Sequence, residues 1–143
     1  LNTERNDFLE TLVFLKNDNI IPTLSHRKGV DFFIDGVSYD QKVSRSPTNE
    51  FKRDFKEYWR TTAIEHPEKV AEYLYTYQDE GRFGAQPRLF IVYLDDEISP
   101  IRIQQIIEKT NLVTPFPITF KFNHKDMGLK TYRTEAFVIL LHN

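Results

Sequence analysis

The sequence predicts an α/β fold, in which helices flank a mixed (α+β) sheet. Asp35-Gly36 stands between two short apolar runs, which is a strong hairpin signal because both turn positions need a positive φ. Arg88–Leu94 is an apolar run that hardly alternates, as expected of a buried central strand. Segments with apolar residues at helical spacing stand before, between and after these strands.

Composition places the chain among single-domain globular proteins. Its 143 residues fit one domain, which we expect to span residues 1–143, and 40% hydrophobic residues allow a sizeable core. A net charge of −2 gives no global attraction to nucleic acid or an anionic membrane, so such binding needs a local patch. The chain has no cysteine, which suits a reducing compartment, and we predict a cytoplasmic protein. No apolar run approaches the roughly 20 residues of a membrane span, so we expect no membrane partner.

Local signals predict the elements before the central strand. Apolar residues at helical spacing predict a helix over Asn2–Asn17. Ile20–Ser25 is a short strand candidate, which Pro22 restricts to a sheet edge or to the start of the strand. Helices are predicted over Glu50–Glu65, after a cap at Thr48 or Asn49, and over Pro67–Glu80. The predicted apolar stripe of the last helix is Val70, Tyr73, Leu74 and Tyr77.

The elements after the central strand begin with an acidic turn. Asp95-Asp96-Glu97 is either a solvated turn or a metal-binding cluster, and solvated turns are the commoner case. A helix is predicted over 99–110. Strands are predicted over Ile118–Phe122 and Ala136–His142, with a polar loop at Asn123–Leu129 between them. The predicted apolar positions of the helix are Ile101, Ile106 and Ile107.

The hairpin carries the candidate site. If its loop is Asp35-Gly36 alone, Asp31 lies directly opposite Asp40, and Lys42 shares their face. Like charges directly opposite one another are destabilising. A divalent cation would reverse that cost, and Mg²⁺ is commonly held by one or two carboxylates with waters and phosphate oxygens. A solvated face on which Lys42 neutralises the two aspartates is the other interpretation, and both stay open.

Positive residues stand on both sides of the hairpin. The turn His26-Arg27-Lys28-Gly29 precedes it, and the stretch from Lys42 to Arg60 is the only clearly positive part of the chain. These side chains are either a solvated surface or contacts to phosphate groups. The predicted DNA contacts are Arg27, Lys28, Ser44, Arg45, Lys52, Arg53 and Lys56.

Three acidic positions follow one another in a recognisable order. A predicted helix carries Glu4, a later strand carries Asp31, and the strand after that carries Asp40-Gln41-Lys42. This order resembles the PD-(D/E)xK nuclease superfamily. The resemblance implies the restriction-endonuclease-like fold, an α/β/α sandwich around a central mixed sheet. It is best over Thr3–Leu94, so the core is expected at about 3–94, with a peripheral helix and strands over 99–143.

The same resemblance implies a metal site. Asp31, Asp40 and the backbone carbonyl of Gln41 would ligate Mg²⁺, for which Mn²⁺ can substitute. Glu4 would bind through water or hold a second ion. Glu10 is the other acid of the first helix, and which of the two serves the site stays open.

The implied activity is hydrolysis of DNA phosphodiester bonds by an endonuclease of restriction, repair or recombination type. Lys42 would position the attacking water and stabilise the developing charge. A homodimer is expected only if both strands of a duplex are cut. Two alternatives stay open: a catalytically inactive nuclease-like module that binds nucleic acid or a partner protein, and the nuclease domain of a bacterial toxin.

Overall fold

The computed structural model describes residues 20–22, 31–110 and 112–143. For residues 20–22 and Asp31 it describes the backbone only. Several predictions therefore lie outside the described residues. They are the helix over Asn2–Asn17 with its acids Glu4 and Glu10, and the basic turn with Arg27 and Lys28.

The described residues form a sheet with helices on both of its faces. The strands are β1 (Ile20–Pro22), β2 (Asp31–Ile34), β3 (Val37–Ser44), β4 (Arg88–Tyr93), β5 (Phe116–His124) and β6 (Gly128–Leu141). The helices are α1 (Asn49–Phe55), α2 (Trp59–Glu65), α3 (Pro67–Thr76) and α4 (Pro100–Lys109), with 3₁₀ turns at Lys56–Tyr58 and Glu80–Arg82. None of these helices has the length and apolar character needed to cross a membrane.

The sheet is mixed, as predicted. Its strand order is β1-β2-β3-β4-β6-β5. The pairs β3–β4 and β4–β6 are parallel, and the other pairs are antiparallel. The three helices α1, α2 and α3 make the crossover from β3 to β4, since parallel neighbours need a long connection. The predicted α/β mixed-sheet fold is therefore confirmed, and β1 with Pro22 lies at the edge, as expected.

The hairpin has the predicted two-residue loop. Asp35 and Gly36 adopt φ values of 52° and 83°, the positive range that this turn requires. Ile34 pairs with Val37, and Asp31 pairs with Asp40. The register on which the candidate site depends is therefore the observed one.

The two faces of the sheet bury separate hydrophobic cores. Residues of β4 alternate between them, so that Ile91 lies in one core and Phe90 in the other. The first core is closed by α4 through Ile103 and Ile107, and the second by α1, α2 and α3. Every residue of β4 is buried, which confirms the prediction of a central strand.

The segment over 99–143 is part of the core, although it was expected to be peripheral. β6 lies directly beside β4, and its Phe137 and Ile139 are buried in the first core. The predicted loop at Asn123–Leu129 is too long, because β5 continues to His124 and β6 begins at Gly128, which leaves only residues 125–127 as a turn. β5 buries only alternate residues, and half of such a strand is polar, so its end resembles a loop in the sequence.

The single helix predicted over Glu50–Glu65 is broken in two. Lys56 ends α1 with a φ of 52° and a ψ of −133°, and no glycine or proline marks this break in the sequence. The break lets Phe51 of α1 and Ala63 of α2 both reach full burial in the second core.

The predicted apolar positions of the later helices are wrong in part. Tyr77 lies just after α3 and is 47% exposed, whereas Tyr75 is fully buried. In α4, Ile101 is 70% exposed and Ile103 is buried instead.

Lys56→Gly should stabilise the fold. A positive φ with this ψ costs a residue with a Cβ atom on the order of 1 kcal/mol, and glycine avoids that cost. We expect Lys56→Gly to raise the free energy of unfolding by about 1 kcal/mol in urea titrations. Lys56→Ala is the matched control, because it removes the same charge and keeps the strain. Equal stability of the two variants would contradict the prediction.

Candidate metal and phosphate site

Asp40 is the centre of a small charged cluster on the second face of the sheet. Its Oδ2 atom lies 3.3 Å from Nζ of Lys42 and 3.7 Å from Nε of Arg88. The Asp40 side chain is 18% exposed and that of Lys42 is 46% exposed. The alternation of β3 therefore brings Asp40 and Lys42 together, as the sequence predicts, and leaves the ammonium group accessible to a ligand.

Arg88 is a site residue that the sequence analysis missed. It is only 4% exposed, and its guanidinium lies 5.1 Å from the ring centre of Tyr75. Its Nη1 donates a hydrogen bond of 3.3 Å to Oε1 of Gln78. Burial lowers the pKa of Arg88, while the charge of Asp40 opposes that change. The only signal in the sequence is an arginine at the start of an otherwise apolar strand.

The donor types at this cluster fit a hard divalent cation. Asp31 stands directly opposite Asp40 in the β2–β3 pair, and carboxylate and carbonyl oxygens are the ligands that Mg²⁺ prefers. Lys42 and Arg88 both pair with the Asp40 carboxylate. The role implied for Glu4, which is to bind through water or to hold a second ion, lies outside the described residues.

Gln41 turns its side chain to the opposite face of the sheet. The side chain is 7% exposed, and its Oε1 finds no hydrogen-bond donor among the residues that the structure describes. Its backbone pairs with Leu89 of β4 in the middle of the sheet. The Gln41 side chain therefore cannot contribute to a site on the Asp40 face. Its backbone carbonyl is the atom that the resemblance names as a ligand.

A groove of about 290 Å³ opens beside Lys42. The polar residues that line it come from β3, β4, the cap residue Thr48 and the segment after α3. The helix predicted over Pro67–Glu80 ends at Thr76, so Tyr77, Gln78 and Asp79 lie outside it. Among the described residues, Ser44 is the one predicted DNA contact in this lining. The groove residues include Lys42, Ser44, Tyr77, Asp79, Arg82 and Arg88.

Gln78 holds the loop that forms one side of this groove. Its Oε1 accepts the backbone N–H of Gly84 at 2.8 Å, and its Nε2 donates to the carbonyl oxygens of Gly84 and Tyr75, each at 2.9 Å. The same Oε1 accepts from Arg88. The amide of Gln78 thus connects the loop to the charged cluster through hydrogen bonds. No local sequence motif predicts this role.

The other predicted DNA contacts of the described residues lie away from this groove. Lys52 packs over the ring of Trp59, with Nζ 5.3 Å from the ring centre. Arg53 pairs with Asp54 at 3.2 Å, and Lys56 is exposed at the helix break. Arg45 lines a different cavity. The structure therefore does not gather the predicted basic stretch into one patch.

The acidic turn after β4 is occupied by internal contacts. Arg60 binds Asp95 through both Nε and Nη2, at 3.3 and 2.9 Å, and the backbone N–H of Asn143 donates to the same carboxylate at 2.8 Å. Hydrogen bonds from Arg60 and then Asn143 lower the pKa of Asp95. Within the described part of the chain, no three His, Asp or Glu residues are grouped as metal ligands.

The Arg60–Asp95 contact should stabilise the protein only where Asp95 is ionised. A carboxylate whose pKa falls on folding contributes stability above its usual pKa of about 3.9, and that contribution is lost on acidification. We expect Arg60→Ala to cost about 0.5–1 kcal/mol near neutral pH in urea titrations. The gap to the unmodified protein should close as the pH falls below about 4. A gap that stays constant from neutral to acidic pH would speak against this role.

Comparison of the chain with models of known protein families, with curated proteins and with solved structures finds no match.

Proposed function

We propose that this chain is a Mg²⁺-dependent endonuclease that hydrolyses DNA phosphodiester bonds, as restriction, repair or recombination enzymes do. One observation carries the proposal. Asp31 pairs directly with Asp40, and Nζ of Lys42 lies 3.3 Å from the Asp40 carboxylate. Two aspartates at paired positions of a hairpin, next to an accessible ammonium, suit an ion that bridges to a phosphate group.

The proposed ligands are oxygen atoms of the hairpin. Asp31, Asp40 and the backbone carbonyl of Gln41 would hold the ion, and Glu4 would bind it through water or hold a second ion. A bound Mg²⁺, or Mn²⁺ in its place, supplies Lewis acidity to the phosphoryl oxygen and lowers the pKa of a bound water.

Two cations, Lys42 and Arg88, orient the Asp40 carboxylate, and Lys42 would also contact the phosphate. Both Lys42 and Arg88 contact Oδ2, so Oδ1 is the oxygen left for an ion among the contacts of the described residues. The half-exposed ammonium of Lys42 can also reach a phosphate oxygen, where it stabilises the charge that develops during hydrolysis. Buried Arg88 acts as a positioning residue for Asp40.

The wider setting of the proposal follows the sequence analysis. The restriction-endonuclease-like topology is part of the proposal, and so are a cytoplasmic location and a homodimer for double-strand cleavage. Arg27, Lys28, Ser44, Arg45, Lys52, Arg53 and Lys56 remain the proposed contacts to the DNA backbone. Such contacts position the duplex without reading its sequence.

A nucleic-acid-binding module without catalysis is the second candidate. The observation in its favour is that the Asp40 carboxylate already has two cationic partners, Lys42 and Arg88. These partners neutralise the carboxylate in the absence of a metal. Such a module would bind DNA with the same affinity whether or not a divalent ion is present.

Incubation with supercoiled plasmid, circular single-stranded DNA and RNA separates the two candidates. We expect nicked and linear DNA in the presence of Mg²⁺ or Mn²⁺, and intact DNA in the presence of EDTA. Failure to cleave any of these nucleic acids with either metal would reject the nuclease. DNA binding that persists unchanged in EDTA would then support the module.

A further inference from the structure

The groove beside Lys42 has two chemically different parts. Three cationic side chains, Lys42, Arg82 and Arg88, contribute to its lining, against one acid, Asp79. Apolar groups of Leu74 and Phe90 line it as well. A ligand that fills this groove therefore needs both an anionic group and an apolar body.

Tyr77 offers an aromatic face in the same groove. It lies just after the end of α3, lines the groove and is 47% exposed. Its ring packs against that of Tyr73, with the ring centres 5.8 Å apart, and nearly half of the residue stays exposed to solvent. Stacking on an exposed aromatic ring is how proteins hold unpaired bases irrespective of their identity.

The size of the groove limits the ligand to a single unit. Its volume of about 290 Å³ lies just below the range of about 300–1,000 Å³ for small-molecule sites. A base inside a duplex is covered by its neighbours on both faces, so it cannot stack on Tyr77. An unpaired or extruded base can do so.

The loop that carries Arg82 is held from both sides. Gln78 binds Gly84 on one side. On the other side Glu80 accepts the backbone N–H of Lys125 at 2.9 Å and lies 3.1 Å from Nδ1 of His124. His124 is buried at the end of β5. The groove is thus built on anchored elements, which reduces the cost of ordering it around a ligand.

We propose that this groove binds one unpaired nucleotide of a DNA strand. Its base would stack on Tyr77, and its phosphate would contact the cationic side chains Lys42, Arg82 and Arg88. The inference rests on the proposed function for the identity of the ligand as DNA. It extends that function by naming the substrate class: single-stranded DNA, or duplexes with an unpaired or easily extruded base. Fully paired duplex DNA is then the poorer ligand.

Binding measurements without metal test this inference separately from catalysis. A fluorescein-labelled single strand, the matching duplex, and the same duplex with one bulged base are titrated with protein in EDTA. We expect the single strand and the bulged duplex to bind more tightly than the matched duplex. We expect Tyr77→Ala to weaken single-strand binding by about fivefold to 150-fold and to change duplex binding less than twofold.

Two control variants and one further test variant complete the experiment. Tyr77→Phe keeps the ring and should bind single strands within twofold of the unmodified protein. Tyr58→Ala removes a tyrosine that is 66% exposed and does not line the groove, and should leave binding unchanged. Arg82→Ala should weaken binding and reduce the slope of log affinity against log salt by about one.

The outcomes distinguish this inference from the proposed nuclease. Equal loss of single-strand and duplex binding in Tyr77→Ala, or no loss in either, overturns the groove proposal, whatever the cleavage assay shows. Tyr77-dependent binding of single strands by a protein that cleaves nothing with Mg²⁺ supports the groove and rejects the nuclease. Cleavage of DNA with Mg²⁺ by a protein whose single-strand binding Tyr77→Ala leaves unchanged supports the nuclease and overturns the groove.

Discussion

Lys42→Ala is expected to reduce Mg²⁺-dependent DNA cleavage by at least about 100-fold, the usual cost of removing one preorganised electrostatic contact to a transition state. Lys42 places its ammonium beside the Asp40 carboxylate, with 46% of its side chain exposed. The variant should fold normally, because an exposed ion pair contributes at most about 1 kcal/mol. Initial rates of plasmid nicking, with circular dichroism melting curves in parallel, provide the measurement.

Lys42 is a cleaner test of the site than Asp40. Asp40 is an ion-pair partner of buried Arg88, so Asp40→Ala removes a compensating charge from the protein interior and is expected to lower stability as well as activity. The matched control is Lys130→Ala, an exposed lysine of β6 with no proposed role. Unchanged nicking by Lys42→Ala would remove Lys42 from the mechanism, and equal losses in Lys42→Ala and Lys130→Ala would indicate a general charge effect.

Arg88→Ala is expected to have the largest effect on stability. Arg88 is 4% exposed, packs on Tyr75 and faces Asp40 at 3.7 Å. Removing one partner of a buried ion pair leaves the other charge uncompensated and costs about 3–5 kcal/mol. Because Asp40 keeps Lys42 as a second partner, we expect a loss of about 3 kcal/mol, the lower end of that range. Urea titrations measure it.

A second substitution separates charge from packing in this prediction. The double variant, Arg88→Ala with Asp40→Ala, should lose less free energy of unfolding than the two single variants lose together. The reason is that neither charge is then left without its partner. Arg82→Ala is the matched control, since Arg82 lines the same groove but is exposed. We expect this control to change stability by less than about 0.5 kcal/mol. A loss below about 1 kcal/mol in Arg88→Ala would show that the pair does not stabilise the fold.

The part of the site that the sequence predicts is the part carried by one hairpin. A two-residue loop and the two-residue period of a strand are enough to place Asp31 opposite Asp40 and to set Lys42 beside Asp40, and the observed register agrees. These relations involve residues close together in the chain, so local turn chemistry decides them.

The residues that the sequence analysis missed come from other elements. Arg88 meets Asp40 because β4 lies parallel to β3, and Tyr77 joins the groove because α3 ends nearby. A similar long-range contact joins the hydroxyl of Tyr39, which donates a hydrogen bond to the carboxylate of Glu135 on β6. Burial accounts first for the raised pKa of this tyrosine, and the bond to Glu135 adds to it. The order of the strands and the packing of α3 on the sheet set these contacts, and neither can be derived from local sequence.

By itself, the sequence determined the local units of this protein: the Asp35-Gly36 turn, the starts of two helices near Thr48 and Ser99, and the buried strand β4. Each follows from backbone sterics or from hydrogen bonds within a few residues. Only the tertiary structure decided the helix break at Lys56 and the partners of Asp40. It also placed β6 in the core. These features depend on which elements pack together, and that choice is made by burial summed over the whole chain.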